Sequence, residues 1–300
     1  MARRVYTPEN QTSAPVKNTN TKVKVPVFWI IFLSILLCGS ITCASIAFKN
    51  HSDNVQVMQV WDDVRNRAEI TDNGVSPYSY GGMMSTAEGY TQTTVTAPLV
   101  DPMDRMFDWD YLSQANSDTA CWLYIPDTPI DYPVMQEQSN GSYFYLNHDF
   151  DGSYLKTGSL FIPRELDGYE DADMRLLIFG HNTGTESLMF CSLINYKEEE
   201  YYLAHPYIYV YYPDRVEKWQ VWATNHVVRD YGIYDLPLEA NTQKYADIIS
   251  YLDSNKYYGA GATPDCSQRI LTLSTCDRTN GDGANGRFIV NAVLVDVRER

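Results

Sequence analysis

Three residues in the C-terminal half have types and settings suited to acyl transfer. Ile270-Leu271-Thr272-Leu273-Ser274-Thr275 reads as a strand and ends on Cys276, before a polar stretch holding Gly281, Gly283 and Gly286. A cysteine where a strand meets a loop is partly exposed, as a nucleophilic thiolate must be. Taken singly it could equally be a packing residue. Ile178-Phe179-Gly180 leads in the same way to His181, followed by Asn182-Thr183-Gly184; alone this is a capping or surface histidine. His51, His148, His205 and His226 lack such a strand-to-turn setting. Arg287 opens the apolar strand Phe288-Ile289-Val290. A guanidinium there needs an anion or carbonyl partner, and a salt bridge to Asp277 or Asp282 would satisfy it. Together the three fit one reaction. A thiolate attacks a carbonyl, an imidazole protonates the leaving amine, and a fixed cation or backbone N–H holds the developing oxyanion.

The elements that must position these residues are mostly strands. Short runs rich in β-branched and aromatic residues occur at 120–125, 158–162, 174–179, 207–212, 218–228, 269–275 and 287–297. Pro213-Asp214 between two of them suits a hairpin. Tyr245, Ile248, Ile249 and Leu252 follow helical spacing, with Asn241 or Thr242 available as N-cap. Seven or more strands with one inserted helix predict a mainly β fold, a closed or nearly closed β-barrel.

Before the barrel the chain changes character twice. The net charge is −15, but residues 1–24 carry +4, leaving −19 for residues 49–300. An acidic body excludes a nucleic-acid partner, because phosphates would be repelled. Residues 25–48 carry no charge, long enough at 1.5 Å per residue to cross a bilayer. The basic leader 1–24 then predicts a single-pass anchor with a cytoplasmic N-terminus and an extracytoplasmic body. Val57, Met58, Trp61, Val64 and Ala68 predict an amphipathic helix over 52–70, and the Gly-, Ser-, Thr- and Tyr-rich stretch 71–98 predicts a flexible stalk. The expected division is therefore leader 1–24, anchor 25–48, helix and stalk 49–104, and catalytic domain 105–300. No CxxC pair occurs among the six cysteines, so there is no zinc signature. Neither metal nor organic cofactor is called for. Four cysteines outside the apolar run are few for a domain of this size and are expected to be mostly unpaired.

Thr272-Leu273-Ser274-Thr275-Cys276 resembles the TLxTC signature of sortases, with the strand-end His181 before it and Arg287 after it. Arg278 lies in the loop, and Arg287 is the better candidate because a strand start fixes its direction. Asn116-Ser117-Asp118 with Trp122-Leu123, then Ile130-Asp131-Tyr132-Pro133-Val134, resembles the opening of the sortase barrel, although Cys121 stands where the family usually has Gly. Gly158-Ser159-Leu160-Phe161 and Gly180-His181-Asn182 resemble its middle. The likeness covers about residues 105–297. A helix at 241–254 before the catalytic strand, together with an N-terminal helix, is similar to class B. Asp101-Pro102 is the one hint of the lid found in pilin-polymerising sortases.

The resemblance implies a barrel of seven to eight strands and a cysteine transpeptidase with Cys276, His181 and Arg287 as its catalytic residues. Ser274, Thr275 and Asn182 would lie against the substrate. The implied partners are surface proteins bearing a C-terminal sorting motif and an amine acceptor such as a cell-wall precursor. A hydrolytic cysteine peptidase would use the same three residues with water as acceptor.

Overall fold

The computed structural model describes residues 26–70, 101–163, 173–184, 188–229, 232–234, 238–258, 262–277, 279, 281–282 and 284–300. The expected leader, the stalk and Arg278 lie outside them. The chain divides into two units, Met1–Ser52 and Asp53–Arg300.

Helix α1 runs from Val27 to Ala68 without a break, joining two stretches that the sequence presents as separate elements. Within the first unit, Ser34, Gly39, Ser40, Thr42 and Ser45 interrupt the apolar residues. The hydroxyls of Ser40 and Ser45 donate back to the carbonyls of Leu37 (2.8 Å) and Ile41 (2.9 Å), and Thr42 does so to Cys38. From Lys49 onward the same helix is strongly charged. Among the described residues no helix is long and apolar enough to cross a membrane. This corrects the expectation of a single-pass anchor, and with it the assignment of cytoplasmic and extracytoplasmic sides.

In the second unit, Val57, Trp61, Val64 and Ala68 recur at helical spacing and are buried, giving the end of α1 one apolar face. Trp61 meets Tyr132 edge-to-face at 5.6 Å. Asp108 caps the short helix α2 (Trp109–Ala115) by accepting from Tyr111 N at 2.8 Å. Strands β1 (Thr119–Tyr124), β2 (Asp131–Met135), β3 (Leu160–Phe161) and β4 (Arg175–Phe179) come next. Helix α3 (Glu199–Ala204) precedes β5 (Tyr207–Tyr211) and β6 (Arg215–Val228). Helix α4 (Gln243–Ser254), capped by Thr242, precedes β7 (Ile270–Cys276) and β8 (Gly286–Glu299).

The eight strands close into a barrel in the order β1-β2-β3-β4-β7-β8-β6-β5. β5 pairs back onto β1, so no edge remains open. β4 and β7 are parallel neighbours despite the ninety residues between them. Along β7 and β8, Leu271, Leu273, Phe288, Val290 and Ala292 join the main core, while Ile270, Ile289 and Val293 pack with Tyr245, Ile248, Ile249 and Leu252 of α4. The period-2 alternation of a strand therefore puts Thr272, Ser274 and Cys276 on the outer face with Ile270, and Arg287 there with Ile289. Among the described residues, which include all six cysteines, there is no disulfide.

Candidate active site

Cys276 is the last residue of β7 and is half-buried. On one side it pairs directly with Arg287 of β8, and residues directly opposite across an antiparallel pair share a face. On the other side the parallel register runs up to Phe179 opposite Ser274. Two further steps bring His181 level with Cys276. Gly180 N donates to the Ser274 carbonyl at 3.1 Å and Thr275 Oγ1 donates to the Gly180 carbonyl at 2.8 Å, so the strands stay zipped through the first of those steps. Cys276 and Arg287 are thus a directly paired couple on β7 and β8, and His181 follows the end of β4, the strand parallel to β7.

His181 and Arg287 are held from behind by backbone carbonyls. His181 Nε2 lies 2.7 Å from the Leu146 carbonyl. A carbonyl only accepts, so Nε2 carries a hydrogen. Arg287 Nη1 donates to the carbonyls of Ala284 and Gly286, both at 2.8 Å. The carboxylates of Asp277 and Asp282, possible partners for Arg287 by sequence, are engaged by His226: Nδ1 lies 3.0 Å from Asp277 and Nε2 2.6 Å from Asp282. Asp277 also takes the Lys197 ammonium at 2.7 Å and both the amide and hydroxyl of Thr279. Burial alone would raise the Asp277 carboxyl. Lys197, Thr279 and His226 outweigh it and hold the group well below the usual carboxylate range. This cluster ties the turn after Cys276 to β6 and to the segment before α3. It was not legible in the sequence because Lys197 and His226 are 80 and 51 positions from Asp277; the one visible signal was an acid directly after the cysteine.

Ser274 and Thr275 flank the nucleophile but are fully buried. Thr275 points inward to Gly180, whereas Ser274 Oγ lies 2.8 Å from the Tyr234 hydroxyl. Burial pushes the Tyr234 hydroxyl up to about 12, so it stays a neutral hydrogen-bonding group. Tyr234 belongs to a short turn between β6 and α4 and packs its ring toward Phe179, with centroids 5.7 Å apart. The sequence gives it no role, since a tyrosine in a turn carries no signal of what it meets. Asn182 spends its carboxamide inside the protein, with Nδ2 donating to the Cys276 carbonyl at 3.0 Å. Among the described residues no group of histidine, cysteine, aspartate and glutamate side chains could hold a metal.

The Leu146 carbonyl that holds His181 has its own support. Gly158, at φ +56°, passes so close that an added Cβ would sit 2.4 Å from the Leu146 oxygen and 2.5 Å from that of Tyr145. Gly158→Ala should therefore cost about 2 kcal/mol, or roughly 4–8 °C in Tm for a domain of this size. It should also slow the reaction of Cys276 by moving the partner of His181. Thermal melting together with the rate of Cys276 acylation checks both effects, and an unchanged Tm would show that the turn relaxes freely.

Known proteins share this architecture. The Sortase domain family model matches residues 123–295, more than half of the chain. The sortase B of Listeria monocytogenes is 29% identical over 192 residues, which cover 61% of this chain and 72% of that protein. Among solved structures, Clostridium perfringens sortase B superposes with a TM-score of 0.57 at 25% identity, over 63% of this chain and all of that one. Sortase B from B. anthracis gives 0.58 at 21% identity, over 82% of this chain and 99% of that one, and shows the same fold. With a strand-end cysteine paired opposite an arginine on a closed eight-stranded barrel, the chain belongs to the sortase family of cysteine transpeptidases, and its relatives are class B sortases.

Proposed function

We propose that this sortase cleaves a short C-terminal sorting motif of surface proteins and transfers the acyl group to an amine of the cell envelope. The observation that supports the reading is the direct pairing of Cys276 with Arg287 at the end of β7, next to the parallel strand β4 that leads into His181. The Cys276 thiolate attacks the scissile carbonyl, and the C–N bond breaks as His181 gives its proton to the departing amine. Nε2 is committed to Leu146, so proton transfer falls to Nδ1. Arg287, directly opposite Cys276, supplies a fixed positive charge for the oxyanion. An acceptor amine then attacks the thioester and returns a proton to His181 Nδ1, and the thiolate is regenerated. The cycle is redox-neutral and leaves no group consumed.

The experiment is an incubation of the chain with a library of sorting-motif peptides, with and without triglycine, read by mass spectrometry. The expected result is a Cys276-dependent thioester and a product carrying triglycine. Cleavage that triglycine leaves unchanged would assign the same three residues to a hydrolytic peptidase and overturn the transfer step.

A further inference from the structure

The regular ladder between β4 and β7 ends at Phe179 and Ser274, two residues short of His181 and Cys276. The spacing of those two residues therefore depends on contacts outside the ladder. The Asn182 carboxamide continues the pairing. Its Nδ2 donates to the Cys276 carbonyl at 3.0 Å, in the place a backbone N–H would occupy in a longer sheet. Its Oδ1 accepts from Gly184 N at 3.2 Å and from the Cys191 thiol at 3.2 Å. Two donors on one side and an acceptor on the other leave the amide a single orientation. Cys191 is itself buried, one residue past Phe190, whose N–H donates to the His181 carbonyl at 3.0 Å. Asn182 thus joins three places at once: the residue after His181, the carbonyl of Cys276, and the segment around Cys191.

We propose that Asn182 is a positioning residue that sets the spacing of His181 and Cys276, and that the Cys191 thiol orients its amide. It is not catalytic, because its contact is with the backbone of Cys276 and not with the sulfur. The proposal rests on reading Cys276 and His181 as the reacting pair, and the test separates the two. Iodoacetamide alkylation of Cys276, resolved by peptide mass spectrometry, is followed from pH 5 to 9 in the full chain. The variants are Asn182→Ala, His181→Ala and the double variant, with thermal melting alongside.

His181→Ala should change the pH profile of alkylation, because it removes the titratable partner that the proposed function gives the thiol. Asn182→Ala should shift it the same way, with alkylation at about pH 6.5 slowed roughly fivefold or more and Tm within about 3 °C of wild type. In the His181→Ala background, Asn182→Ala should add nothing, since a group acting through the pair has no effect once the pair is broken. Asn182→Asp keeps the shape but aims a second acceptor at the Cys276 carbonyl, so it should behave as Asn182→Ala; it reads the same comparison if the Ala variant does not fold. Cys191→Ser keeps a donor and should retain the wild-type profile. A shifted His181→Ala profile with unchanged Asn182 variants would overturn the inference alone. An unchanged His181→Ala profile would overturn the pairing and this inference with it.

Discussion

Replacing Cys276 with alanine is expected to abolish acyl transfer, lowering the rate by about 10³-fold or more, while leaving the fold in place. The first half comes from chemistry. Among the described residues no second thiol pairs with Arg287, and neither His181 nor Arg287 can form the thioester. The second half comes from the sheet. Cys276 meets β8 and Asn182 through its backbone, by the pairing with Arg287 and by the carbonyl that accepts from Asn182. Those bonds survive the loss of one sulfur at a half-exposed strand end. Intact-protein mass spectrometry should show no acyl adduct on the variant, and its Tm should stay within a few degrees of wild type. His181→Ala and Arg287→Ala should each weaken the reaction severely but not add fully to Cys276→Ala, because residues that act on one transition state fail as a unit. A Cys276→Ala chain that kept a tenth of the rate would remove the thiolate from the mechanism.

The parts legible in sequence were those set by local pattern. Cys276, His181 and Arg287 could be picked out because each stands where an apolar run meets turn residues, and α4 because its buried positions keep helical spacing. Strand β2 is less visible as a strand. Pro133 lies in its middle, and proline removes a ladder donor. The structure tolerates it because β2 pairs with β3 only at Val134 and Met135, beyond the proline. What brings the site residues together was not legible at all. The parallel pairing of β4 with β7 joins segments ninety residues apart, and nothing in either strand encodes its neighbour. The charge-free run 25–48 misled for the opposite reason: composition marked it as an independent span, whereas from Val27 onward it belongs to one helix with the charged residues after it.

Substituting Arg105 should destabilise the domain far more than any change near Cys276, although it lies at the junction of α1 with the barrel. Its guanidinium is fully buried and forked in two directions. Nε and Nη2 reach the Glu69 carboxylate at 2.9 and 3.2 Å, and Nη1 and Nη2 reach Asp131 at 2.7 and 2.9 Å. Asp131 also accepts from Trp122 Nε1 at 2.7 Å and pairs with Arg65 of α1 at 3.1 Å. The rings of Phe107 and Tyr124 each lie 4.8 Å from the guanidinium. Burial works to raise the Asp131 carboxyl, but Arg105 and Arg65 outweigh it and leave it lowered. Arg105→Met keeps much of the volume, takes the guanidinium from the buried Glu69 carboxylate and leaves buried Asp131 with Arg65 alone as its cation, a loss of about 3–5 kcal/mol, or roughly 6–20 °C in Tm. The pH dependence has a definite sign. In the wild type the lowered Asp131 contributes stability that is fully present above the ordinary carboxylate value of 3.8 and is lost as pH falls through its folded value. In Arg105→Met burial acts on Asp131 with Arg65 as its one remaining cation, so its carboxyl lies higher than in the wild type and the variant gains relative stability as it takes up a proton. The gap between the two proteins should therefore be widest at about pH 7 and close between roughly pH 5 and 3. Urea denaturation at about pH 7, 5 and 3 measures it, and a variant within about 1 kcal/mol of wild type at neutral pH would show that this junction does not hold the domain together.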